Sequence, residues 1–326
     1  MQQERIDIWG EDEYSYSAAF GFRPNFRTCL HQDGETRPCV LVIPGGGYRM
    51  VVPSEGEIVA KCFFEKGYQT FVGTYTTNFL GTEPLRTQPL EDISRMVRLI
   101  RVRADEFRVD PERIVVCGFS AGAHLCGSLG VHWKQVRDER YPVISNRPDG
   151  VIRSYPVITS GEYAHRDSFV ALLGEDASEE ELNWASLEKN VTFDTSPIFL
   201  WQTVTDETVP VENSYLMAMA LKKAGISFEH HVFPRGRHGL SIANEDWAEG
   251  RFGEPYTMEQ LACMAKAMEA GTIQVPPDKA EVLKPFSHPE TDRPSFPTCT
   301  TFPEVMVWPE LADRWMKLNL WKQELT

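Results

Sequence analysis

The sequence predicts an α/β protein built on a doubly wound, mostly parallel sheet with helices on both faces. Two observations carry this. Short apolar runs alternate with amphipathic segments of helical period along most of the chain, as in βα units whose parallel strands need a helical crossover. The run Arg113 to Leu129, RIVVCGFSAGAHLCGSL, joins a fully apolar strand, Ile114 to Cys117, to a helix-favouring segment from Ala121 through one tight Gly-x-Ser-x-Gly turn.

The 326 residues, 42% of them hydrophobic, suffice for a sizeable core, and one domain over 1–326 is expected. A formal net charge of −14 argues against nucleic acid and against an anionic membrane as partner. The start, MQQERIDIWGEDEY, has neither a basic stretch nor an apolar core of a signal, and no run of about 18 apolar residues follows. The expectation is a soluble, cytoplasmic protein. Seven scattered cysteines, several of them (Cys39, Cys62, Cys117, Cys126) inside apolar patterns, read as buried free thiols of a reducing compartment. No Cys/His spacing suggests zinc, and the adjacent His230 and His231 point to opposite faces of a strand, so no metal or cofactor is expected.

Taken in order, Ile6 to Trp9 and Asn25 to His31 read as short strands of an antiparallel edge, with Gln32 to Glu35 as a hairpin-type turn into the next strand. Cys39 to Ile43 is a buried strand ending in Pro44-Gly45-Gly46-Gly47-Tyr48, a glycine run that no regular element tolerates. Ser54 to Lys66 reads as a helix capped by Ser54 with Glu57 in the capping-box position. A strand over Tyr68 to Tyr75 and a helix over Pro89 to Phe107 follow, the arginine-rich face of the helix reading as solvated. Beyond the serine turn come strands at Gly150 to Pro156, Ile198 to Val204 and Ser227 to Phe233, with a helix over Val211 to Lys223. The acidic, irregular stretch 162–190, with one helical piece, is expected as an insertion over the site. In 250–309 proline rises and only Thr257 to Ala270 is helical, which predicts a surface excursion serving as lid or as contact in a homo-oligomer. Trp308 to Trp321 closes the chain as an amphipathic helix carrying Leu311, Trp315 and Leu318.

The Gly-x-Ser-x-Gly turn is the form of a nucleophile elbow, which strains the backbone at a serine and exposes its hydroxyl at the carboxyl edge of the sheet. A serine hydroxyl needs a base, and His238, in the glycine-flanked Arg235 to Leu240 loop just past the last expected strand, is placed to supply it. The orienting acid belongs between serine and histidine in chain order, at a strand end. Asp206 meets that requirement, Glu207 competes with it, and Asp194 lies too early. The amides of Gly45, Gly46 and Gly47, with that of Ala121, are candidate donors to an oxyanion. His124, one turn after Ser120, reads as a structural histidine of a buried helix. Tyr48, Tyr155, Phe169, Leu172 and Trp184 are candidates for a substrate pocket or for core.

With these pieces in place the chain resembles the α/β-hydrolase esterase family of bacterial acetyl esterases and acetyl-xylan, or acetylated xylo-oligosaccharide, esterases. The matching segments are PGGGY, GFSAGAHL, SYPVIT, SFVALLG, TDETVPVENS and GRHGL, within residues 39–243. The resemblance implies the α/β-hydrolase fold, a Ser120–Asp206–His238 triad, oxyanion donors at Gly46, Gly47 and Ala121, no cofactor, and a small ester such as an acetylated oligosaccharide as substrate. Pro44 stands where many relatives carry histidine, and Ala123 where the elbow often continues with glycine; both leave the reacting groups in place. An amide hydrolase, peptidase or aryl formamidase, with the same triad and a catalytically silent ligand-binding protein are the alternatives.

Overall fold

The computed structural model describes residues 3–287 and 299–322. Strands β1 (Arg5–Asp7), β2 (Asn25–Cys29), β3 (Arg37–Ile43), β4 (Gln69–Thr74), β5 (Val109–Phe119), β6 (Gly150–Ser154), β7 (Ile198–Thr203) and β8 (Phe228–Phe233) form one sheet in the order β1-β2-β4-β3-β5-β6-β7-β8. From β4 to β8 every pairing is parallel, while β1 and β2 make an antiparallel edge. The helices are α1 (Glu57–Glu65), α2 (Gln88–Val102), α3 (Ala104–Phe107), α4 (Ala121–His132), α5 (Arg166–Leu173), α6 (Glu179–Ala185), α7 (Glu212–Ala224), α8 (Glu245–Ala248), α9 (Glu259–Glu269), α10 (Pro277–Ser287) and α11 (Trp308–Trp315).

The central strands are continuous apolar runs because both faces of the sheet are covered. Cys39, Leu41 and Ile43 of β3 and Val116 of β5 pack with Met96 of α2, Leu125 of α4 and Leu221 of α7. Their alternates Val40, Val42, Val115 and Cys117 pack with Val59 and Phe63 of α1 and Trp308 and Trp315 of α11. The chain leaves β3 for β4 on one side and returns to β5 on the other. This topological switch brings the carboxyl ends of β3 and β5 together, where such sheets bind ligands. Among the described residues no helix is long and apolar enough to cross a membrane.

Several expectations need correction. Gln32 to Glu35 does not close a hairpin: β2 pairs with β1 and β4, and both edges of β3 are taken by β4 and β5. Ser54 caps nothing, because Pro53–Glu55 forms a separate 3-10 turn and α1 begins after Gly56 without a side-chain cap. The second helix breaks at Arg103 into α2 and α3. Its arginine face is largely buried rather than solvated. Arg95 lies over the Trp9 ring and pairs with Asp138 and Glu13, while Arg98 donates to the carbonyls of Ile144 and Val136. Leu318 is exposed, because α11 passes into a π-helical turn, Met316–Leu320, that rotates it outward.

The 162–190 stretch carries two helices, α5 and α6, instead of one, and the second starts in a capping box between Ser178 and Glu181. Within 250–309, α10 adds a helix that the proline-rich composition hid, and residues 288–298 of that excursion lie outside the described residues. Leu261 and Met264 of α9 and Leu283 and Phe286 of α10 form a separate apolar cluster with Phe79 and Leu80. Gln260 clamps the loop after β4, accepting from the Thr77 amide and hydroxyl and donating to the Thr77 carbonyl at 2.8 Å each.

Candidate active site

Ser120 sits between β5 and α4 with φ 51° and ψ −118°, a left-handed state that a non-glycine residue holds only under constraint. The constraint comes from its glycines. A Cβ on Gly118 would lie 2.3 Å from the Gly122 carbonyl oxygen, and one on Gly122 would lie 2.2 and 2.4 Å from the carbonyl oxygens of Ile43 and Pro44. Both glycines are therefore required for the start of α4 to press against the ends of β5 and β3. Gly122→Ala is expected to separate α4 from β3, lowering thermal stability by the equivalent of about 1–3 kcal/mol and abolishing activity; calorimetry beside an ester assay checks it.

The loop after β8 carries His238 over the sheet edge, where its Nε2 lies 2.8 Å from Ser120 Oγ and its Nδ1 lies 2.7 Å from Asp206 Oδ2. Asp206 Oδ1 accepts the amides of Thr208 and Val209, both at 2.9 Å, so its turn holds the carboxylate rigidly and its side chain is fully buried. Glu207 is exposed. The histidine loop is pinned in turn by Thr203 and Thr205, whose hydroxyls donate to the Gly236 carbonyl at 2.9 and 3.0 Å. This chain of hydrogen bonds from hydroxyl to imidazole to carboxylate can draw a proton from Ser120.

Beside it, the loop after β3 holds Gly46 at φ +124° and Gly47 at φ +64°, conformations that favour glycine. The amides of Gly46, Gly47 and Ala121 donate to no protein acceptor among the described residues. Gly45 differs from the expectation, because its amide donates to Glu55 Oε2 at 2.7 Å and is unavailable to a substrate.

Tyr48 and Tyr155 do not line a pocket; each is about 1% exposed. The Tyr48 hydroxyl meets His124 Nδ1 at 2.7 Å, while His124 Nε2 donates to the Ala185 carbonyl at 2.8 Å. Burial pulls His124 down to about 3, so it stays neutral and accepts from Tyr48, a structural role. Tyr155 packs its ring against His238, with centroids 4.9 Å apart, and spends its hydroxyl on Glu55 Oε1 at 2.7 Å. Phe169 and Leu172 are core, whereas half-buried Trp184 stacks on His132. Two residues near the site were not anticipated. One is Glu55, buried beneath the glycine loop. The other is His165, hydrogen-bonded at 2.8 Å to Ser168, whose hydroxyl approaches the position of a Gly47 Cβ to 3.9 Å. Burial, followed by the charge of His238, lowers the His165 pKa.

The model of the family described as BD-FAE matches residues 29–221, which include the glycine loop, the elbow and Asp206. The chain belongs to the BD-FAE family. This BD-FAE chain is 53% identical over 262 residues to endo-1,4-beta-xylanase B of Butyrivibrio fibrisolvens, covering 80% of this chain and 41% of that one. It is 27% identical over 220 residues to an acetylxylan esterase of Xylanibacter ruminicola, covering 66% of this chain and 43% of that protein. It thus spans less than half the length of either curated relative. Among solved structures, an acetyl ester-xyloside bifunctional hydrolase of Caldicellulosiruptor lactoaceticus superposes with a TM-score of 0.69 at 35% identity, over 83% of this chain and 97% of that one. The fold is that of the α/β hydrolases.

Proposed function

We propose that this protein is a serine carboxylic-ester hydrolase that removes short acyl groups, acetyl foremost, from a sugar-derived alcohol. The observation that carries the reading is the unbroken Ser120–His238–Asp206 relay on a strained elbow. Ser120 Oγ attacks the ester carbonyl as His238 Nε2 takes its proton, while Asp206 holds the Nδ1–H tautomer and stabilises the imidazolium. The amides of Gly46, Gly47 and Ala121 receive the oxyanion, with the positive end of α4 behind the last of them. His238 then protonates the departing alcohol, and water enters by the same route to release the acid.

Acetylated xylo-oligosaccharides as the substrate class are supported by the names of the relatives, a xylanase, an acetylxylan esterase and an acetyl ester-xyloside hydrolase. A cytoplasmic setting is supported by the cysteines, of which Cys29, Cys39, Cys62, Cys117, Cys126 and Cys263 are free thiols. The reading calls for no metal or cofactor. The test is acetate release from p-nitrophenyl acetate through octanoate and from acetylated xylo-oligosaccharides, beside the Ser120→Ala variant. Serine-dependent release fastest on the acetylated sugars is expected. Release confined to aryl esters would remove the sugar assignment, and faster turnover of peptidyl or formanilide substrates would replace esterase by amidase.

A further inference from the structure

Glu55 is a buried carboxylate that the proposed chemistry does not use, and it joins two loops that the chemistry does use. Its Oε2 accepts the Gly45 amide at 2.7 Å, and its Oε1 accepts the Tyr155 hydroxyl at 2.7 Å. The Tyr155 hydroxyl in turn accepts the amide of Ser241, three residues past His238, at 3.0 Å, and its ring packs edge-on against the His238 imidazole. One carboxylate therefore links the end of β3, the end of β6 and the histidine loop.

We infer that Glu55 is a positioning residue, tying the glycine loop and the histidine loop together so that the Gly46 and Gly47 amides and His238 keep fixed places around Ser120. The inference rests on the serine-esterase reading above. Three features support it. A buried carboxylate is costly unless it is hydrogen-bonded, and an apolar side chain would suit the buried face at position 55 more cheaply. The network also holds strained backbone: Tyr155 and Ser241 have φ of 36° and 49°, beside Tyr48 at 60° and Ser120 at 51°. Such states persist only where neighbours over-determine them. Finally, Glu55 feels the site directly. Burial raises its pKa, and the Tyr155 and Gly45 hydrogen bonds and the charge of His238 oppose that rise.

With the Gly45 amide committed to Glu55, the peptide plane entering the glycine run has a fixed direction. The next two amides are left for the substrate. Glu55→Gln keeps the volume but has a single acceptor oxygen, so either the Gly45 amide or the Tyr155 hydroxyl faces an N–H group instead.

The experiment measures, for wild type, Glu55→Gln and Tyr155→Phe, the second-order rate of Ser120 phosphonylation by a fluorophosphonate probe, kcat and KM on p-nitrophenyl acetate, and thermal unfolding. Glu55→Gln is expected to lose about 10- to 100-fold in kcat and in labelling rate, with KM nearly unchanged. Tyr155→Phe is expected to show a smaller loss of the same kind. A purely structural Glu55 would lower the melting temperature while leaving kcat and labelling of the folded protein at wild-type values, which overturns the inference. If Glu55→Gln does not fold, Tyr155→Phe decides: slower labelling upholds the inference and wild-type labelling overturns it. A wild type that the probe does not label overturns the serine-esterase reading and this inference with it.

Discussion

Replacing Ser120 by alanine is expected to lower kcat on aryl acetates roughly a millionfold, to the level left by binding and the oxyanion donors alone. The fold should survive. The left-handed backbone at Ser120 is held by Gly118, Gly122 and the bond from the Ser120 amide to the Ser154 carbonyl at 3.0 Å, none of which needs the hydroxyl. His238 loses its 2.8 Å partner but keeps Asp206 and the Tyr155 ring. Steady-state kinetics with far-ultraviolet circular dichroism checks both halves. Turnover above a thousandth of wild type would mean that another group attacks the ester.

Asp206→Asn is expected to cost about 10⁴-fold in kcat with little change in structure, for a reason that the local geometry supplies. Oδ1 accepts two backbone amides, from Thr208 and Val209, so an asparagine must turn its oxygen toward them and its NH2 group toward His238 Nδ1. Facing a donor, Nδ1 gives up its hydrogen and the proton moves to Nε2. The imidazole then presents a donor to Ser120 and cannot act as its base. Pre-steady-state measurement with p-nitrophenyl acetate should show acylation slowed, whereas Glu207→Gln, at an exposed position, should leave it unchanged.

The parts of the site that were legible in the sequence are those whose chemistry is local or ordered along the chain. The elbow announces itself because two glycines flank a serine at a strand-to-helix joint, and Asp206 and His238 follow at the ends of later strands. The parts that were not legible depend on partners far away in sequence. Arg95 and Arg98 read as solvated because the groups that satisfy them, Asp138 and the carbonyls of Val136 and Ile144, lie some 40 residues on in a loop without periodic pattern. The Gln32 to Glu35 turn has hairpin chemistry, yet turn residues do not say which strand β2 joins, and β4 takes that edge.

Glu55 did leave a trace. Counted in the helix expected over Ser54 to Lys66, with Ile58, Val59, Cys62 and Phe63, it falls at i, i+3, i+4, i+7 and i+8, a carboxylate in an apolar register, although Gly56 separates its 3-10 turn from α1 in the structure. A charge in that register signals a buried partner, here the Gly45 amide and the Tyr155 hydroxyl. Tyr48 and Tyr155, candidates for a pocket or for core, belong to the core, and burial at the sheet edge turns their hydroxyls to His124 and Glu55.

The central claim is that Ser120 becomes acylated, and the most direct measurement is mass spectrometry of the protein quenched in acid during turnover of p-nitrophenyl acetate, with peptide mapping. An acetyl group on the peptide carrying Ser120, present in wild type, accumulating in a variant slowed in deacylation and absent from Ser120→Ala, is the predicted result. An acetyl group on any other residue, or turnover with Ser120 unmodified throughout, would contradict the account.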